Sequence, residues 1–394
     1  MTSRSISGRL IKSFSIAILI PSLTTALVAV TMIYLQVLGQ AQDRVTSDLE
    51  AAREIFQNNL DRLKDAMRIH ATRRVVYEAL ASSDHSSLDN EMERVRQVER
   101  LDVLTLVDAA GRVFFRAHNP ALFGDDLTWD PLVQHVLVEK TPIASPQIVP
   151  REALLKEAPA LAEQALMEIT PTPKALPTQR TRETAGMMLR SAAPVFAADG
   201  RFRGALVGGV LINRNYEIVD KVRTTVFKDM VYRGLDVGTA TIFQNDVRIS
   251  TNVKNSDGTR AITTRVSAEV AQAVLDNGET WRGRAFVVND WYIAAYAPIV
   301  DAANRTIGML YVGTLEQPYI DSLYRYLILL SGITLLGVLL VSVVSITVAQ
   351  RISRPVRAIA AASQAVAQGD YTQKVVTSSQ DEIGQLASDF NRMT

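Results

Sequence analysis

Two long stretches of this 394-residue chain carry no charged side chain. Ser13–Gln42 is 30 residues long and Tyr326–Gln350 is 25. About 20 consecutive apolar residues cross the hydrocarbon core of a bilayer as a helix, and a backbone in that core must satisfy its own hydrogen bonds. The runs therefore predict membrane-spanning helices at 13–38 and 326–348. The second is dense in Leu, Val and Ile, with Arg325 and Arg351 at its ends; a soluble core helix of that length rarely lacks charge. The first follows Arg4, Arg9 and Lys12, as a secretory leader would, and Gly39-Gln40-Ala41 offers small residues for cleavage. Its uncharged length is roughly twice the ~7–15 residues of a leader's apolar region. A periodic helix also continues straight out of it, so a retained span is the reading.

All 83 charges lie in the other 339 residues, where their density is ordinary for soluble protein. Lys and Arg near span ends mark the cytoplasmic side. Residues 1–12 hold three basic and no acidic residues, and Arg351, Arg354 and Arg357 follow the second run. Both flanks are thus expected in the cytoplasm, with the 283 residues from Asp43 to Arg325 outside. The overall balance of 42 basic and 41 acidic residues argues against a nucleic-acid-binding face. The lack of Cys excludes disulfide scaffolds, thiol catalysis and Cys-ligated metals. No G-x-S-x-G, H-E-x-x-H, P-loop or dinucleotide fingerprint occurs, so no catalytic residue, metal or cofactor is expected in the outer region.

Within that region Val45, Leu49, Ala52, Phe56, Leu60, Leu63 and Met67 fall at helical spacing and predict a stalk helix over 43–81. The period then changes to two. Leu101–Val107, a turn at Asp108–Gly111 and Arg112–Arg116 read as a hairpin, as do Met188–Phe196 and Phe202–Ile212 across Ala198-Asp199-Gly200. The second hairpin recurs: Ala193-Pro194 with Gly204 and Gly209 matches Ala297-Pro298 with Gly308 and Gly313, at a constant offset of 104. Segments Leu104–Arg116 and Thr239–Thr251 open the two halves. This predicts a distal module at 100–213, a linker helix within 214–232 and a proximal module at 235–317. Between them Val149–Met187 reads as a short helix broken near Pro159 and a strap stiffened by Pro171, Pro173 and Pro177. Its position, over the distal pocket or merely on the surface, is open.

These residues resemble the double Cache family of extracytoplasmic sensors, which implies an α+β fold of two PAS-like modules. Arg116-Ala117-His118-Asn119-Pro120 with Phe123-Gly124-Asp125-Asp126-Leu127 is similar to a stretch of its carboxylate-sensor branch. Leu189-Arg190-Ser191-Ala192-Ala193-Pro194 resembles the strand that supplies an arginine to the ligand there. The resemblance covers about residues 40–320 and implies ligand contact by Arg116, His118 and Arg190. Trp129, Asp130 and His135 follow the motif as further candidates to line the pocket. An Arg fork and an imidazole suit a carboxylate chemically; equally, Arg116 could be paired with Asp125 or Asp126, and a loop His could be an ordinary hydrogen-bonding residue. Adding 104 to Arg190 gives Ala294, so an anion is expected distally, and Trp281, Trp291 and Tyr296 are read as core.

After the second span, Ile352, Val356, Ile359, Ser363 and Val366 form one heptad seam and Ile383, Leu386, Phe390 and Met393 another. With Pro355, Gly369-Asp370-Tyr371 and Asp381-Glu382-Ile383-Gly384, residues 349–394 resemble a HAMP domain. That implies a parallel coiled coil of two chains, hence a homodimer. The second seam has three turns by Thr394, and the chain is expected to continue. The whole reads as the sensing and transmitting part of a bacterial inner-membrane receptor for a small organic acid, most simply a sensor histidine kinase. A methyl-accepting chemoreceptor and a membrane-bound nucleotide cyclase are the alternatives.

Overall fold

Residues 6–82, 85, 88–376 and 378–394 are described by the computed structural model; residues 1–5, with Arg4, lie outside the described residues. The chain divides into a unit of Gly39–Pro318 and a second unit made of the chain up to Leu38 and of Tyr319–Thr394.

Helix α1 runs from Ile6 to Ala71. All seven of the stalk positions read from the periodicity are buried. The helix closes over both modules of the first unit: Met67 lies against Gly208, and Thr314 Oγ1 donates to Asp48 at 3.4 Å. The predicted stalk ends at residue 81, whereas α1 stops at Ala71. There Thr72 Oγ1 donates to the Ile69 carbonyl at 2.7 Å and Arg73 pairs with Glu91. A separate helix α2 (Arg74–Ser82) and then α3 (Asp89–Val98) follow.

The distal module contains β1 (Val103–Asp108), β2 (Val113–Arg116), α4 (Pro131–Glu139), β3 (Ile143–Val149), α5 (Arg151–Glu157) and α6 (Pro159–Ala165). A strap follows, marked by the two-residue strands β4 (Met167–Glu168) and β5 (Arg182–Glu183), and then β6 (Gly186–Phe196) and β7 (Phe202–Leu211). The sheet order is β2-β1-β7-β6-β3, antiparallel throughout. Helix α7 (Glu217–Val226) and a short ribbon, β8 (Val231–Tyr232) with β9 (Leu235–Asp236), lead to the proximal module. That module holds β10 (Gly238–Gln244), β11 (Val247–Thr251), α8 (Ala268–Ala271) continuing into a π turn at Gln272–Asp276, β12 (Trp281–Val287), β13 (Asp290–Val300) and β14 (Thr306–Leu315). Its order, β11-β10-β14-β13-β12, repeats the first. Each sheet buries an apolar core, around Val107, Val133 and Val207 distally and around Phe243, Val274 and Met309 proximally.

The repeat extends to register. Arg190 faces Gly209, and 104 residues later Ala294 faces Gly313; the irregularity after Val195 recurs after Ile299. The opening hairpins follow a different offset: Val103 and Thr239, the partners of Gly209 and Gly313 in β1 and β10, are 136 apart. The extra 32 residues lie between β2 and β6, where the distal module carries α5, α6 and the strap.

In the second unit, α9 (Gln317–Ala367) ends before Gly369, which adopts φ +94°, and α10 spans Glu382–Met393. Asp381 caps α10 by accepting from the backbone N–H groups of Ile383 (3.0 Å) and Gly384 (3.2 Å). Ala362, Val375, Ala387 and Phe390 form the core between the two helices and their connector. Asn391 holds the connector by both of its amide atoms to Val375, each at 2.8 Å. Helices α1 and α9 are both long and apolar enough to cross a membrane.

Gly204 and Gly308 sit at the same place in the repeat, and both pass a neighbouring backbone closely. A Cβ would come 1.9 Å from the Val107 carbonyl oxygen at Gly204, which also has φ +155°, and 2.0 Å from that of Phe243 at Gly308. Gly204→Ala and Gly308→Ala should each destabilise the protein by about 2 kcal/mol or more. Thermal denaturation checks this, with Gly258→Ala, open to solvent but also at positive φ, as the milder control.

Candidate functional site

A strand presents alternate side chains to one face of its sheet. Val103 and Thr105 of β1 and Met188 and Arg190 of β6 thereby share a face, and α5 and the loop before α4 cover it. Between them lies a cavity of about 300 Å³.

Arg190 is 8% exposed. Its NH1 donates to Gln147 Oε1 at 2.9 Å and pairs with the Asp130 carboxylate. Asp130 is itself fixed as the N-cap of α4, where Oδ1 accepts from Leu132 N at 2.9 Å and Val133 N at 3.4 Å. Pro131 at the first helical position fits that cap. Both protein hydrogen bonds of Arg190 leave from NH1; Nε and NH2 bond to none of the described residues. That edge is a two-pronged donor for a carboxylate. Arg96 uses the same edge on Glu93, with Nε at 2.7 Å and NH2 at 2.6 Å.

Arg116 plays another part. It is 1% exposed and already carries counter-charges. NH1 and NH2 grip Asp125 at 2.7 and 2.9 Å, Nε donates to Glu157 at 2.9 Å, and NH1 also reaches the Leu122 carbonyl at 2.9 Å. Thr105 Oγ1 donates to the other oxygen of Glu157 at 2.9 Å. Arg116 thus borders the cavity as part of its wall, in the paired state with Asp125, and not as an open ligand anchor. Its hydrogen bonds hold the Asp125 carboxyl down at about 2, assisted by Lys156.

The other candidates separate. Trp129 stands at the cavity rim, 54% exposed, its Nε1 donating to the Asp126 carbonyl at 3.0 Å. His118 is exposed, with Nδ1 3.0 Å from the Asp102 carbonyl, and does not line the cavity. His135, on α4, contacts Thr141 Oγ1 at 3.0 Å and also stays outside. Alternation ceases once β2 ends at Arg116, so the spacing of His118 no longer sets its direction.

Sequence reading missed Glu152, Lys156 and Glu157, which border the cavity, and Gln147, which accepts from Arg190. Gln147 carried a signal, being an amide in the otherwise apolar end of β3; the α5 residues carried none. Glu152 makes no hydrogen bond or ion pair with the described residues. Around the cavity, Asp125, Asp130, Glu152 and Glu157 face Arg116, Lys156 and Arg190. A molecule on the Arg190 edge therefore meets acceptors elsewhere.

Residues 210–326 match the family model described as single cache domain 3, and residues 347–394 match that of the HAMP domain. The chain joins a Cache segment to a HAMP segment. The matched Cache segment contains the proximal module, and the distal module repeats its sheet order. No curated protein matches the chain. Among solved structures, the periplasmic domain of Vibrio cholerae LuxQ is 13% identical, with a TM-score of 0.39 over 69% of this chain and 99% of that one. The sensor domain of the V. cholerae histidine kinase DctB is 12% identical, with a TM-score of 0.40 over 72% and 98%. The sensory domain of the Campylobacter jejuni chemoreceptor Tlp3 (CcmL) is 13% identical, with a TM-score of 0.39 over 74% and 98%.

The Arg116 cluster gives a pH signature. A carboxyl depressed from 3.8 to about 2 stabilises the fold above the unfolded value. Asp125→Asn should cost about 2 kcal/mol at neutral pH, as loss of hydrogen bonds to a buried charge does. The gap in melting temperature from the unsubstituted protein should close as pH falls from about 4 to about 2.

Proposed function

We propose that this chain is the sensing and transmitting part of a homodimeric receptor in the bacterial inner membrane, of the sensor histidine kinase type. It binds a small organic acid in the distal cavity. The reading rests above all on Arg190, which borders the distal cavity and whose Nε and NH2 bond to none of the described residues. A carboxylate occupies that edge, and hydroxyl or ammonium groups of the same molecule meet Glu152 and its acidic neighbours. A small hydroxy- or amino-acid has both features.

Transmission follows from differential affinity: a ligand shifts a two-state equilibrium only as far as it prefers one state. Helix α9 begins two residues after β14 ends and runs into the HAMP segment. Support for a dimer comes from the apolar seam residues left exposed in the single chain, among them Ile352, Leu386 and Met393. A second chain covers them in a parallel coiled coil. The basic flanks support a cytoplasmic HAMP segment and an outer Cache region.

Two measurements test this. Arg190→Ala in the full chain, held in lipid nanodiscs, should abolish the melting-temperature rise given by the best binder among lactate, malate and glutamate; an undiminished rise removes the site. For orientation, the absence of Cys makes any introduced thiol unambiguous. An impermeant maleimide applied outside the inner membrane should label Ser256→Cys in spheroplasts and Ser378→Cys only after lysis, both positions being exposed and outside the coiled-coil seams. The reverse pattern inverts the topology.

A further inference from the structure

The proximal module encloses a second cavity, of about 460 Å³. The sequence comparison assigned any anion to the distal module because the counterpart of Arg190 is Ala294. The register brings in a different cation. Arg248 of β11 stands opposite Phe243, where the distal module pairs Val113 with Val107. It borders this cavity while being only 5% exposed.

Nothing among the described residues neutralises Arg248. Its one side-chain hydrogen bond runs from NH1 to the Ala261 carbonyl at 3.3 Å, and its buried Nε has no partner. The ionisable groups around it are Tyr292, Tyr296 and Tyr311, and burial pushes its pKa down. Its neighbours on the cavity wall differ in this respect. Arg265 is paired with Asp246 and Arg284 with Glu316. The wall as a whole carries Lys174, Arg248, Arg265 and Arg284 against Glu269 alone. A buried guanidinium without a counter-charge is unfavourable, and an anion in the cavity relieves it.

The remaining walls are aromatic. Trp281 packs edge-on to Tyr296 at 5.6 Å, and Phe286 edge-on to Trp291 at 5.4 Å. Trp281, Trp291 and Tyr296, read from sequence as core, all border this space. Its roof is the strap of the distal module at Pro171–Lys174. Arg265 N donates to Thr172 Oγ1 at 2.9 Å and Ala268 N to the Lys174 carbonyl at 2.7 Å, so the strap is tied down on the proximal side.

We propose that the proximal cavity is a second binding site, for a small aromatic carboxylate, with Arg248 as its anchor and the strap as its roof. The anion meets the unpaired guanidinium and the flat apolar body lies among the aromatic rings. This site has its own cation, Arg248, and aromatic walls that the distal cavity does not share.

The test uses the full chain in nanodiscs with benzoate, phenylacetate and 3-phenylpropanoate as probes and benzamide as the neutral control. At least one of the acids should raise the melting temperature by several degrees and alter tryptophan fluorescence, while benzamide should do neither. Arg190→Ala should keep the response and Arg248→Met should lose it. Without ligand, Arg248→Met should melt at or above the unsubstituted protein, because it removes an unpaired buried charge while keeping the length of the side chain. A response retained in Arg248→Met, no response to any of the three acids, or a lower melting temperature for unliganded Arg248→Met each overturns the proposal.

Discussion

The distal module is organised around one buried cation. Removing a guanidinium from water is costly unless charge and hydrogen bonds replace the lost hydration. Arg116 obtains both, from Asp125, Glu157 and the Leu122 carbonyl. The consequences are positional. Asp125 and Leu122 fix the loop after β2, Glu157 fixes the end of α5 against the sheet, and Thr105 of β1 locks the second oxygen of Glu157. These contacts stand α5 over the sheet face and so wall the cavity that Arg190 borders. Arg116 spends its guanidinium on the wall, whereas Nε and NH2 of Arg190 bond to none of the described residues.

The insertion that begins with α5 serves both modules. Its first part walls the distal cavity, and its proline-stiffened part roofs the proximal one. Arg180, near the strap's end, also pairs with Asp246 of the proximal module at 2.7 Å. The two cavities differ in chemistry as well as position. Distally a cation edge is surrounded by carboxylates, which favours a ligand rich in donors. Proximally an unpaired guanidinium is surrounded by rings, which favours a flat anion.

Much of this was legible in the sequence, and the failures have physical causes. The stalk face was readable because a long helix against a sheet needs an apolar residue every three or four positions. The hairpin repeat was readable because Gly204 and Gly308 lie against carbonyl oxygens and tolerate no Cβ. The HAMP segment was readable from its seams. The end of α1 at Ala71 was not, since Arg73 just beyond it pairs with Glu91, 18 residues further along the chain. The role of Arg116 was left between two readings because Glu157, the partner that helps to bury it, is 41 residues away. Arg248 carried no signal in the repeat, because its counterpart in the opening hairpin of the distal module is Val113. An insertion shifts the register of everything before it relative to everything after it.

The central claim is that the open edge of Arg190 receives a carboxylate while the Arg116 cluster stays intact. The most direct measurement is a structure of the full chain with its bound hydroxy- or amino-acid. The account predicts carboxylate oxygens within about 3 Å of Arg190 Nε and NH2, with Arg116 still bonded to Asp125 and Glu157 and Asp130 still capping α4. An acid found on Arg116 with Asp125 displaced, or bound with the distal cavity empty, would contradict it.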